Sequence, residues 1–377
     1  LVVSEYIAAT ALPPGKTCIS TAALLYPKMG SGAPYYIVAP PYTQDSAGVK
    51  MLYVLCHLLN LSGARAFIYV SPYFRSAADL GPGLVTPALT PATVELHRVA
   101  GETPIIVLPE TMHVNPFKGG IVVRWVMNFT GLLGGPNAFS EDEYIFAYSE
   151  VIARTIKNCA GKLFLPGSDP QFFKPPEDNQ PRSGICYYAG KYVEVHEQEV
   201  PDHLIRNGTK ITRGPGGQSR EALREIFQTH EVLHIFENTA LATEALLCGC
   251  VVVANRNPFF DELIAEAEHG SAGVCWDDKA ESLAQAKEKL KEFRTNYTAC
   301  EQAALEGVIE FFECTQRLAA KTNLTAKLSI SRRVNLIAVY DYFTYVLRQV
   351  LRSTIEQGFF RTFGSVFLSI ARKFRKK

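Results

Sequence analysis

Val232-Leu-His-Ile-Phe236-Glu237-Asn-Thr-Ala-Leu-Ala-Thr-Glu244-Ala-Leu-Leu-Cys-Gly249-Cys-Val-Val-Val253 reads as a strand, a helix and a second strand. The apolar runs on either side are short and β-branched, as in buried parallel strands, and Gly249 stands where a helix would stop. In such a βαβ unit the helix N-terminus leaves the carboxyl end of the sheet, where ligands bind. Glu237 and Glu244 are seven residues apart, two helical turns, so the spacing predicts that both acids share one face. The amides of Thr239 and Ala240 are suited to a phosphate and Glu244 to sugar or ribose hydroxyls. An ordinary crossover helix with an acidic start would have the same sequence.

Outward from this unit the chain reads as two α/β halves. Residues 34–39, 66–70, 103–108, 120–126 and 144–148 supply strands or buried segments, and Gly48 to Asn60 a helix with apolar positions at Val49, Leu52, Tyr53, Cys56 and Leu59. Pro166-Gly-Ser-Asp-Pro170 and Lys174 to Ser183 are rich in proline and polar residues, which suits a linker. A second alternation follows, with strands at 184–189 and 209–212 and a helix from Ser219 to Gln228. The expected division is 1–165, an N-terminal α/β unit; 166–183, a linker; 184–330, a C-terminal α/β unit; and 331–377, helices that cross back or meet a membrane. Residues 1–33 form an irregular lead-in without an assigned role.

With 377 residues, 47% hydrophobic and 20% charged, the chain has material for two cores and is neither disordered nor fibrous. Nine cysteines without a Cys-x-x-Cys pair, several inside apolar runs, indicate reduced thiols in a cytosolic protein, not a disulfide frame or zinc site. No signal peptide or long uncharged apolar run is visible. The net charge of +1 hides a basic end: from Arg332 to Lys377 ten Lys/Arg face only Asp341 and Glu356, leaving −7 on the preceding residues.

Several loops after strands gather polar groups. Pro40 to Gly48 offers Ser46 as a helix cap and Gly48 for close backbone approach, or simply a capped turn. Pro109 to Pro116 brings together Glu110, His113 and Asn115; His113 is a candidate acceptor-side base or a solvated loop histidine. Arg124 is a candidate partner for an anion across the cleft, while Trp125 suits the core. Ala189-Gly190-Lys191-Tyr192 opens the second half, with His196 five residues after Lys191. The loop Thr212-Arg213-Gly-Pro-Gly-Gly217 offers a cation, a base pocket or a plain surface turn.

The stretch from Glu237 to Val251 resembles the donor-site signature of retaining glycosyltransferases of the GT-B fold, especially family 4, in which two acids flank seven residues. Glu244 matches the second acid, and Glu237 is one residue closer than the usual first. The resemblance covers residues 34 to about 310 and implies two Rossmann-like domains facing a cleft. It implies donor contacts from Glu244, Asn238, Thr239, Ala240, Gly190, His196 and Arg213. Glu237, Lys191 and His113 would take part in catalysis, and Ser46, Gly48, Glu110, Asn115 and Arg124 would face the acceptor. Lys191 stands at the family's arginine position and His196 where a lysine is expected. No metal and no cofactor beyond the nucleotide-sugar donor is implied, and the acceptor would be a growing, lipid-linked surface glycan of bacterial type.

Phe359 to Lys377 has no acid, and five basic residues at its end follow four phenylalanines. That pattern suits an anionic membrane surface, or a packed terminal helix with a soluble tip; the negative remainder disfavours nucleic acid. The expected location is cytoplasmic, peripheral to the inner face of a membrane. A nucleotide-sugar 2-epimerase on the same fold and a non-catalytic glycan- or membrane-binding partner stay open.

Overall fold

The structure, a computed structural model, describes residues 32–75, 80–177, 181–214, 216–322 and 328–330. The lead-in up to residue 31 and the basic segment 331–377, with its expected membrane contact, lie outside the described residues. The chain runs β1 (Tyr35–Ala39), α1 (Ala47–Leu61), β2 (Ala66–Val70), α2 (Pro91–Val99), β3 (Ile105–Pro109), β4 (Phe117–Lys118), β5 (Ile121–Val126), β6 (Tyr144–Ala147), α3 (Glu150–Arg154) and β7 (Cys159–Lys162). After the linker come β8 (Ile185–Tyr188), α4 (Gly190–Glu194), α5 (Asp202–Asn207), β9 (Gly208–Lys210), α6 (Arg220–Thr229), β10 (Val232–Ile235), α7 (Ala240–Cys248), β11 (Val251–Ala254), α8 (Glu266–His269), β12 (Val274–Cys275), α9 (Ala280–Lys321) and β13 (Ser329–Ile330).

Two wholly parallel sheets result. The first has the order β2-β1-β3-β5-β6-β7 and the second β12-β11-β10-β8-β9. Every residue of β1, β3, β10 and β11 is buried, as strands covered by helices on both faces require. In each sheet the order reverses beside the first strand: β1 has β2 on one side and β3 on the other, and β8 has β9 and β10. Loops at such a point splay apart and leave a crevice at the carboxyl edge.

The helix α1 begins where Ser46 accepts from the amide of Val49, and its residues Met51 to Leu59 are all buried. The helix α7 ends at Gly249, which adopts φ +87° and closes the last turn through amide bonds to Leu246 and from Cys250 to Ala245. Arg182 of the linker donates to the carbonyls of Phe227 (2.7 Å) and Cys248, tying the linker to both helix ends.

A 42-residue helix, α9, joins the halves. Phe293 and Tyr297 belong to the second core, whereas Ala304, Val308, Phe311 and Phe312 belong to the first. Its end is tied to the first sheet: Tyr35 Oη and Thr315 Oγ1 are 2.7 Å apart, and Gln316 bonds both backbone groups of Ala33. After it, β13 pairs antiparallel with β4 of the first half. The return to the first half therefore lies within the span expected for the second unit, upstream of residue 331.

Midway along α9, Glu301 is 1% exposed and its Oε1 lacks a hydrogen-bond partner among the described residues. Burial raises its pKa from 4.5 to about 7. A carboxyl whose folded pKa lies above its unfolded one binds more protons when folded, so its contribution to stability falls as pH rises between these two values. Glu301→Gln is expected to flatten the loss of thermal midpoint between pH 5 and 7.5, as read by calorimetry across that range. An unchanged slope would show that Glu301 does not titrate in this window.

Candidate functional site

The two strand-order reversals face each other across a cavity of about 470 Å³. From the first half come the loop after β1 and the start of α1, with Ser46, Gly48 and Lys50, and the loop after β3, with Glu110 and Thr111. From the second come Tyr188, Lys191, Arg213, the start of α7 from Asn238 to Ala240, and Glu244. Gly167 and Ser168 of the linker form part of the wall. The linker is therefore a lining element as well as a connection. Tyr297 of α9 fixes it: its hydroxyl accepts from the Ser168 amide (2.9 Å) and donates to the Ser168 carbonyl (2.8 Å).

Two helix N-termini thus point into one space. Each presents amides without intrahelical acceptors and the positive end of a dipole, which favours an anion. Gly48 leaves its part of the wall open, since a Cβ there would meet only Met127 Cε at 3.8 Å. Lys191 donates to the Asn238 carbonyl (3.2 Å), and Arg213 Nη2 reaches across to the Gln44 carbonyl of the first half (3.2 Å).

Glu244 lies among these cations, 6% exposed. Its Oε2 is 4.0 Å from Arg213 Nη1, an ion pair without a hydrogen bond, and that oxygen has no hydrogen-bond partner among the described residues. Burial raises the pKa of Glu244, opposed by Arg213, Lys50 and Arg220. A buried carboxylate oxygen without a donor is costly in the empty protein and suits a ligand that brings one, such as a hydroxyl. Glu110 is also buried; its Oε2 accepts from the Met127 amide (3.1 Å), and burial raises its pKa. Gly135 keeps this loop in place, because a Cβ there would strike the Glu110 carbonyl.

Not all residues singled out in the sequence meet here. Glu237 precedes the α7 cap, Thr239, so the two acids do not share a helix face. Its Oε2 accepts from the Tyr192 amide (2.9 Å), capping α4, and its Oε1 is ion-paired with Lys191 at 3.3 Å. It stands behind the wall and positions Lys191. His196 is stacked on Phe259, ring centroids 3.9 Å apart, outside the lining. Gly190 also lies outside the lining, where a Cβ would strike the hydroxyl of Tyr188.

Three acceptor-side expectations are corrected in the same way. Arg124 is 3% exposed and spent on a bidentate pair with Glu143 (2.7 and 2.9 Å) and on the carbonyls of Pro109 and Met112. It braces two loops beneath the site with four of its five N–H donors and does not line the cavity. His113 is exposed, with Nε2 2.9 Å from the Gly134 carbonyl, and Asn115 caps the Phe117 amide. Neither lines the cavity. The sequence reading passed over Lys50, whose ammonium donates to the Gly167 carbonyl inside the cavity.

Strand order and facing crevices define a pair of Rossmann-like α/β units with a cleft between them, the GT-B arrangement. No family model and no curated protein matches the sequence. Among solved structures the chain is similar to AviGT4, a glycosyltransferase involved in avilamycin A biosynthesis, at 13% identity over 77% of this chain and 99% of that one, TM-score 0.45. It is similar to a glycosyltransferase from Rickettsia africae ESF-5, at 13% identity, 77% and 100% coverage and TM-score 0.40. A third is the glycosyltransferase SnogD from Streptomyces nogalater, at 13% identity, 76% and 100% coverage and TM-score 0.39.

Proposed function

We propose that the protein is a glycosyltransferase that takes a sugar from a nucleoside diphosphate donor bound across the cleft. The observation that carries this reading is the buried Glu244, with one oxygen unpartnered beside Arg213, in a single cavity with Lys191 and the start of α7. The diphosphate would lie against the two helix N-termini, with Glu244 accepting from hydroxyls of the donor. Charge that builds on the departing diphosphate is met by fixed cations and amides, so the reading needs no metal. The acceptor oxygen bonds to the anomeric carbon as the bond to the diphosphate breaks, and the hydroxyl proton leaves with the diphosphate.

Retention of configuration is part of the proposal, supported by the resemblance of the Glu237 to Val251 stretch. A lipid-linked glycan acceptor at the cytoplasmic face of a membrane is supported by the same resemblance and by the basic, phenylalanine-rich composition of residues 359–377. No helix among the described residues is long and apolar enough to cross a membrane. The test is a panel of nucleoside diphosphate sugars, with and without lipid-linked glycans and with EDTA, read by nucleotide release and by the anomeric proton of the product. Turnover of one donor with an axial or equatorial outcome matching the donor supports the reading. Absence of binding to every donor sinks it, and isomerisation of a donor without acceptor would make the protein an epimerase.

A further inference from the structure

Lys50 is a half-buried charged group at the meeting point of three segments. It belongs to the first turn of α1, donates to the Gly167 carbonyl of the linker, and acts electrostatically on Glu244 of the second half. An ammonium carries three donors, and the carbonyl of Gly167 is its one hydrogen-bond acceptor among the described residues. Lys50, Gly167, Glu244, Arg213 and Lys191 all line the same cavity.

The charge around it is unbalanced in a telling way. Arg220 is directed to Asp169 (3.7 Å) and lies over the Phe172 ring, so it serves the linker. Lys191 is paired with Glu237. That leaves Lys50 and Arg213 to share Glu244, two cations from opposite halves for one carboxylate. Burial lowers the pKa of Lys50, the nearby Glu244 raises it, Arg220 and Arg213 lower it further, and Asp169 raises it in turn. An added anion would relieve both the burial and the repulsion.

We propose that Lys50 is a phosphate ligand of the donor, a cation supplied from the first half. With Arg213 it would clamp a diphosphate between the two helix N-termini, so that the ligand itself bridges the halves. The inference rests on the nucleoside diphosphate reading above. A structural role alone, holding the linker at Gly167, would affect every ligand of the cavity alike.

The experiment is calorimetric titration of wild type, Lys50→Met, Lys50→Gln and Lys50→Arg with UDP, GDP, TDP, ADP and CDP, and with the matching nucleosides. For the diphosphate that wild type binds, Lys50→Met is expected to weaken binding by about ten-fold or more, with the nucleoside changed by less than about two-fold. Lys50→Arg should recover most of the loss. Lys50→Gln, which can still donate to the Gly167 carbonyl, should behave as Lys50→Met and covers the case in which the latter misfolds. Unchanged diphosphate binding in Lys50→Met or Lys50→Gln overturns the role of Lys50 and leaves the donor reading standing, as does equal weakening of nucleoside and diphosphate. Failure of wild type to bind any of the five diphosphates overturns both.

Discussion

Glu244→Gln is expected to lower donor turnover, kcat/KM, by about 10- to 100-fold. The reason lies in what the carboxylate does with and without ligand. In the empty protein its Oε2 is buried beside Arg213 and makes no hydrogen bond, so the charged form is supported by the charges of Arg213, Lys50 and Arg220 alone. Burial penalises that charge, as the raised pKa records. An amide of the same shape removes the penalty but leaves Lys50 and Arg213 without the carboxylate they share, and the melting curve reads the balance of the two. With donor bound, a hydrogen bond to a charged acceptor is worth about 1.5 to 3 kcal/mol, which corresponds to roughly 10- to 100-fold. The measurement is steady-state kinetics on the donor found in the panel, alongside a melting curve. Normal kcat/KM in the variant would remove Glu244 from the donor site.

Phe311→Ala carries the largest expected effect on stability, about 3 to 5 kcal/mol. Phe311 is fully buried, although it sits on a helix whose first turns pack on the other half. Its ring stands edge-on to Phe146 at 4.9 Å and lies 6.2 Å from Tyr35, so one truncation opens a void between β1, β6 and α9. Denaturant titration followed by tryptophan fluorescence, with Trp125 buried in the same core, reads the loss. A shift below about 1 kcal/mol would mean that the end of α9 does not hold the first core as described.

The elements around the site were legible because each carries a local signal. Apolar runs at 34–39 and 66–70 became β1 and β2, the Ser46 cap set the start of α1, and Gly249 set the end of α7. Glu244, Lys191, Arg213 and the start of α7 do face one cavity. What local sequence cannot carry is the choice of partner. Arg124 meets Glu143 nineteen residues later, and His196 finds Phe259 across a loop, so two candidate ligand groups are spent on scaffolding. Lys50 looks like any lysine on an amphipathic helix, and only the fold brings the linker and Glu244 to it. The crossing helix had a readable signal: its buried positions 286, 293, 297, 300, 304, 308 and 311, with half-buried Leu290 between the first two, keep a three-to-four spacing through a charged segment. One stripe running unbroken past both expected cores marks a single helix shared between them.

By strand order the molecule divides into two complete modules, yet the material of their interiors does not divide with them. A chain ended in the linker would carry the first sheet without Val308, Phe311 and Phe312 to cover it, and its complement would carry those side chains bare on the end of a helix. Each fragment would present the apolar surface that the other lacks. Produced together from separate genes, they should associate as complementary halves; produced alone, each would be prone to aggregate. Exchanging second units between proteins of this architecture therefore means moving α9 as well, or redesigning the contact where it enters its neighbour.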